Sequence, residues 1–281
     1  MTSTLVRQHV AHADPAPRVD LSARARDWSE IQERMLVPLY EAVYDRLDVG
    51  PGSRLLGLRC GAGLALLLAA ARGAAVTGVD SAFPERLALA RARLLPDGGP
   101  PGAARARTAP RLLGEPPAEP AGGRPYTLVT VFDPGDGDGL GELLAAALPL
   151  AARGAAVVLA GWGPPERCAT PAVLRAAAGL ADPLPGAGGW RPARRDDLEE
   201  AAARAGLRPD GSGRVACPFG YADLDSAVRG LLSTGLFDAA IEATDARQVD
   251  KELTEALHPH RRPDGTVWMP NVFRYLVARV P

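Results

Sequence analysis

Between Arg54 and Asp80 the chain reads RLLGLRCGAGLALLLAAARGAAVTGVD, and the order of its parts decides the fold. Arg54 to Leu58 is a short apolar strand, and Cys60-Gly61-Ala62-Gly63 is a glycine turn. Leu64 to Arg72 is an apolar helix, with Gly73 where a left-handed cap is usual. Ala75 to Val79 is a second strand that ends in Asp80. Strand, tight turn, helix and strand in about 30 residues form a βαβ unit, which implies a parallel sheet. The glycine turn lets backbone approach a ligand closely, and the helix behind it offers unpaired N–H groups. Asp80 follows Gly61 by 19 residues. That is close to the ~20 expected when a carboxylate meets the ribose hydroxyls of a nucleoside lying across the strand ends.

Toward the N-terminus, Trp28 to Leu47 carries apolar residues at helical spacing, and residues 1–22 mix Pro, Ala, Arg and Asp without periodicity, as a flexible tail does. Toward the C-terminus, Ser81 and Pro84-Glu85 start a helix that runs to Leu95. Residues 96–124 carry only a weak strand candidate at Ala104 to Thr108. Tyr126 to Phe132 and Ala155 to Ala160 read as buried strands, and Leu140 to Ala152 as a helix interrupted by Pro149. Arg195 to Ala205 is a helix capped by Gly206. Segments 163–193 and 219–262 read as a helical cap, and Val272 to Val280 as the last strand. The expectation is an α/β fold, with residues 23–281 as one domain.

Composition narrows the partners. Lys and Arg total 32 against 33 for Asp and Glu, a net charge of −1 that gives no grip on nucleic acid or an anionic membrane. No apolar stretch approaches the ~20 residues a bilayer requires, and the start has no secretory apolar region. Cys60, Cys168 and Cys217 lie far apart without metal-ligand spacing, so a reduced, cytoplasmic protein without a bound metal is expected. A nicotinamide or flavin dinucleotide would ask for a third glycine three residues after Gly63, where Leu66 stands.

The front segment PLYEAVYDRLDVGPGSRLLGLRCGAGLALLLAAARGAAVTGVD resembles the class I S-adenosylmethionine-dependent methyltransferases, in particular the actinobacterial branch of the methyltransferase type 11 group. TLVTVF, GAAVVLAGWGPPERC and RRPDGTVWMPNVFRYLVA support the likeness by order and spacing. The resemblance implies a Rossmann-like, seven-stranded, mostly parallel sheet with helices on both faces. It implies that Cys60, Gly61, Ala62 and Gly63 cradle the methionine part of S-adenosylmethionine, beside Arg59, and that Asp80 holds its ribose. By the same likeness Ser81 and Ala82 flank the adenosine, and Thr108 stands where an acid commonly reads the adenine amino group. Phe132 and Asp133 would lie beside the transferring methyl, with Trp28 covering the pocket and Trp162 on the acceptor side.

Two marked positions depart from the family pattern: Gly57 stands in place of an acid and Arg59 in place of a glycine. Arg59 either pairs with the cofactor's carboxylate or turns outward. Catalysis would be methyl transfer to a small molecule, with specialised metabolism as the expected setting, by a monomer or homodimer. The alternative is a repurposed member of the fold that has lost normal cofactor binding and acts as a binding or regulatory protein, or as a cofactor-independent cyclase. His258, His260 and Asp264 are base candidates, although a polar turn before a last strand is usually solvated loop.

Overall fold

A computed structural model describes residues 20–95, 109–132, 139–179 and 194–281. The described residues open with α1 (Leu21–Asp27), whose N-cap Asp20 accepts from the amides of Ser22 and Ala23, so the helix takes in Leu21 and Ser22, the last two residues of the expected tail. The same helical rod continues through a π-helical turn, Trp28–Gln32, and a 3-10 turn, Glu33–Leu36, into α2 (Val37–Arg46). The βαβ unit follows as expected: β1 (Arg54–Leu58), α3 (Leu64–Ala71), β2 (Ala75–Val79) and α4 (Pro84–Leu94). Gly73 is left-handed at φ 92°, as a cap requires.

Next come β3 (Arg111–Leu113), β4 (Tyr126–Val131), α5 (Leu140–Ala147) and β5 (Ala151–Trp162). Pro149 ends the regular helix in a 3-10 turn at Leu148–Leu150, and β5 starts at once. The third strand therefore lies at 111–113, whereas the candidate at 104–108 falls outside the described residues. The cap contributes α6 (Thr170–Ala178), followed by α7 (Asp197–Arg204) and β6 (Arg208–Ala216). A small hairpin sheet of β7 (Phe219–Tyr221) and β8 (Val267–Met269) encloses α8 (Leu224–Leu232), α9 (Asp238–Ala243) and α10 (Ala246–Leu257). The last strand is β9 (Val272–Arg279).

The main sheet has seven strands in the order β3-β2-β1-β4-β5-β9-β6. β9 runs antiparallel to β5 and β6, and the remaining pairings are parallel. Neighbouring residues of a strand face opposite sides. Accordingly Leu55 joins the core built with α2, α3, α4 and the cap, whereas Leu56 joins the core built with α5 and α7. β6 was not expected from sequence, because RPDGSGRVA contains proline and glycine that belong on an edge strand, where this one lies. Residues 219–221, expected in the helical cap, form a strand instead. No helix of the described residues is long and apolar enough to cross a membrane.

Candidate functional site

The crossover between β1 and β4 is where the strand order reverses, the place at which open α/β sheets bind ligands. There the backbone after β1 makes a sharp bend, with φ 51° at Arg59, 56° at Gly61 and 81° at Gly63. The Gly61 N–H donates to Asp80 Oδ2 at 2.9 Å, so the bend and the strand-end acid meet. Asp80 Oδ1 accepts from Ala82 N at 3.1 Å and Phe83 N at 3.2 Å, a capping duty expected of Ser81. Burial raises the Asp80 pKa, against three backbone donors and the nearby Arg86 charge that pull it down.

Gly57 and Gly78 are register partners on β1 and β2, and Leu66 of α3 packs over both. A Cβ on Gly57 would stand 2.8 Å from Leu66 Cδ2, and one on Gly78 would overlap Leu66 Cδ1. The acid that the family pattern asks for at position 57 has no room, because a leucine fills its place.

A carboxylate nevertheless orders the bend, and it comes from another element. Glu33 Oε1 accepts from Leu64 N, at the start of α3, at 3.2 Å. Glu33 Oε2 pairs with Arg93 Nη1 at 3.0 Å, and the same nitrogen donates to Ala62 O at 3.0 Å. Arg93 also donates to the Ser29 carbonyl and hydroxyl, so α4, the N-terminal rod and the bend are tied at one point. Burial pushes the Glu33 pKa up to about 7, although Leu64 N–H and Arg93 pull it down. Sequence reasoning missed Glu33 and Arg93, since nothing in their residue types separates them from a solvated helix face.

Above the bend lies a cavity of about 690 Å³. Its wall brings together Arg59, Gly61, Asp80, Ser81, Ala82 and Phe132, with Trp28 and Trp162. Phe132 is held by Tyr40 and Tyr44, ring to ring at 4.8 and 5.8 Å. Trp162 stacks on Phe273 at 4.6 Å and meets Phe219 at 5.8 Å, giving the far end of the cavity an aromatic wall. Arg59 faces the cavity, its Nη2 lying 3.9 Å from where a Cβ on Gly139 would stand, across the mouth from the bend.

Three expected residues do not reach this space. Ala62 is fully buried, Gly63 packs against Ala90, and Cys60 turns its sulfur toward Gly78. Cys60 lines a separate crevice of about 20 Å³ beside Gly57, and burial pushes its thiol pKa up, which suits a filler and not a nucleophile. Thr108 and Asp133 lie outside the described residues. His258 and His260 sit on a 3-10 turn away from the cavity wall, and Asp264 accepts from the Thr266 amide and hydroxyl in its own turn.

No protein-family model matches the chain, and no curated protein matches it by sequence. Solved structures do match. A candidate methyltransferase of Bacillus halodurans C-125 shares 14% identity over 86% of this chain and 98% of its own, with a TM-score of 0.54. YcgJ of Bacillus subtilis shares 12% over 85% and 97%, with a TM-score of 0.53. YjhP of E. coli shares 19% over 92% and 99%, with a TM-score of 0.50. At such identities the likeness shows the fold: a Rossmann-like, methyltransferase-type α/β sheet.

Proposed function

We propose that the chain is an S-adenosylmethionine-dependent methyltransferase acting on a small molecule. One observation carries the reading: the Asp80 carboxylate, bonded to the Gly61 amide, opens onto a cavity of about 690 Å³ whose far end is aromatic. Oδ2 takes a single N–H, so a lone pair is left for a ribose hydroxyl. The donor set suits the cofactor: Asp80 for the ribose, Ser81 and Ala82 beside the adenosine, and Phe132 beside the sulfur. When bound, such a cofactor supplies a methyl group on a good leaving group, so the chain's task is alignment and exclusion of water. Phe132 and Trp28 keep the bend dry, and Trp162 with Phe273 offers an apolar surface for an acceptor.

Calorimetric titration tests the proposal with S-adenosylmethionine, S-adenosylhomocysteine and NADH. Micromolar binding of the first two, weakened about tenfold or more by Asp80→Asn, is the expected result, since a lost charged acceptor costs roughly 1.5–3 kcal/mol. A folded sample that stays silent at millimolar S-adenosylhomocysteine overturns it. One observation favours the second reading, a repurposed binding protein: Trp28 and Glu33 crowd the Gly61 α-carbon, and the crevice between them is only about 20 Å³. That reading expects an apolar ligand to bind the cavity while the nucleosides do not.

A further inference from the structure

We infer that the amino-acid end of the nucleoside ligand is received by the N-terminal rod, with the Trp28 indole N–H donating to its carboxylate and Glu33 accepting from its ammonium. The inference rests on the proposed function and adds to it a recognition site outside the glycine motif.

The first observation is an orphan. Trp28 is 6% exposed, and its Nε1 hydrogen has no acceptor among the described residues. A buried donor without a partner carries the full cost of its lost hydration, so it marks a place where a ligand atom is wanted. Nε1 lies 3.0 Å from where a Cβ on Gly61 would stand. Glu33 Oε1 lies 3.2 Å from the same point. A donor and an acceptor thus flank one bare α-carbon, which matches the two charges of an α-amino acid.

The second observation is room of the right size. Trp28, Arg59 and Gly61 line both the large cavity and the small crevice. The crevice, about 20 Å³, holds one water-sized atom, and Glu33 lines it, so it suits the ammonium nitrogen, while Trp28 also faces the large cavity where the carboxylate would lie. Glu33 accepts from Leu64 N and Arg93, with the Ala62 backbone also in reach, and two carboxylate oxygens can accept about four hydrogen bonds.

The third is the backbone. In an α-helix, residues five apart point about 140° away from each other. In the π-helical turn the Glu33 N–H bonds to Trp28 O, so the two residues stack on one face. Trp28 is fixed there by Arg86, whose guanidinium lies 4.0 Å from the indole ring centre and is itself anchored on the Ser233 and Thr234 carbonyls. The donor is therefore rigid before any ligand arrives, which limits the entropy lost on binding.

The test compares three ligands on the unaltered chain by calorimetry. S-Adenosylhomocysteine carries both charges, 5′-S-(3-carboxypropyl)-5′-thioadenosine lacks the ammonium, and 5′-methylthioadenosine lacks the whole amino-acid end. Affinity should fall about tenfold at each removal, the scale of one charge-assisted hydrogen bond. Trp28→Phe keeps the ring stack and deletes the N–H. It should cost S-adenosylhomocysteine and the carboxypropyl compound about tenfold while leaving methylthioadenosine unchanged. Glu33→Gln should erase only the preference for the ammonium. Equal binding of the three ligands, or a Trp28→Phe loss shared equally by all three, overturns the inference and leaves the nucleoside cleft standing. If none of the three binds, the proposed function falls too. The ligand series on the unaltered chain decides the matter even where a variant fails to fold.

Discussion

Placing an aspartate at position 57 should harm this protein. A Cβ there would stand 2.8 Å from Leu66 Cδ2, and the other Leu66 methyl is already packed at the Gly78 α-carbon, which hinders its retreat on that side. Overpacking of that kind costs about 1–3 kcal/mol. An aspartate at this buried site would also lack a partner, which adds about 1–3 kcal/mol. Gly57→Asp should therefore lose about 2–6 kcal/mol, a large share of the ~5–15 kcal/mol that holds a domain folded. Gly57→Ala separates the steric part, and it should be destabilised although alanine ordinarily stiffens the unfolded chain in the protein's favour. Leu66→Ala alone should cost about 2–5 kcal/mol through the cavity it leaves. If the contact is the cause, the double variant Gly57→Asp/Leu66→Ala should be more stable than the sum of the two losses by about 1–3 kcal/mol. Urea unfolding followed by far-UV circular dichroism measures all four proteins. Gly57→Ala as stable as the parent, or additivity of the two substitutions within about 0.5 kcal/mol, would refute the size exchange between α3 and its two strands.

Arg59 sits at φ 51°, where a glycine would be unstrained. Arg59→Gly and Arg59→Ala both delete the guanidinium, so the difference between them isolates the backbone. The glycine variant should be more stable by about 1–2 kcal/mol, and an alanine variant with the higher unfolding midpoint would contradict this. Glu33 has a folded-state pKa raised from 4.5 to about 7, so the folded protein holds that proton more tightly than the unfolded chain does. Stability should fall as pH rises through that window, by at most about 3 kcal/mol. The charged group facing Glu33 is Arg93 from α4. Asp80 is shifted in the same direction. Urea midpoints between about pH 5 and pH 8 should therefore drop less for Glu33→Gln than for the parent, whereas parallel curves would remove Glu33 as the cause.

The sequence by itself determined the local unit from Arg54 to Asp80 and the place where a ligand would lie. Strand, bend, helix and strand-end acid are set by neighbours in the chain, by apolar runs, by two left-handed glycines and by a carboxylate within reach of a backbone N–H. Gly61, Asp80, Ser81, Phe132, Trp28 and Trp162 line one cavity. β6 was hidden because an edge strand needs no alternating apolar face. Only the tertiary structure decided how the missing acid is replaced. Glu33 reaches Leu64 across 31 residues and Arg93 across 60, and it faces inward because a π-helical turn shifts the phase of the rod. Leu66 belongs over Gly57 and Gly78 only once two strands and a helix have packed, since volume complementarity is a property of the assembled core and leaves no period in the chain.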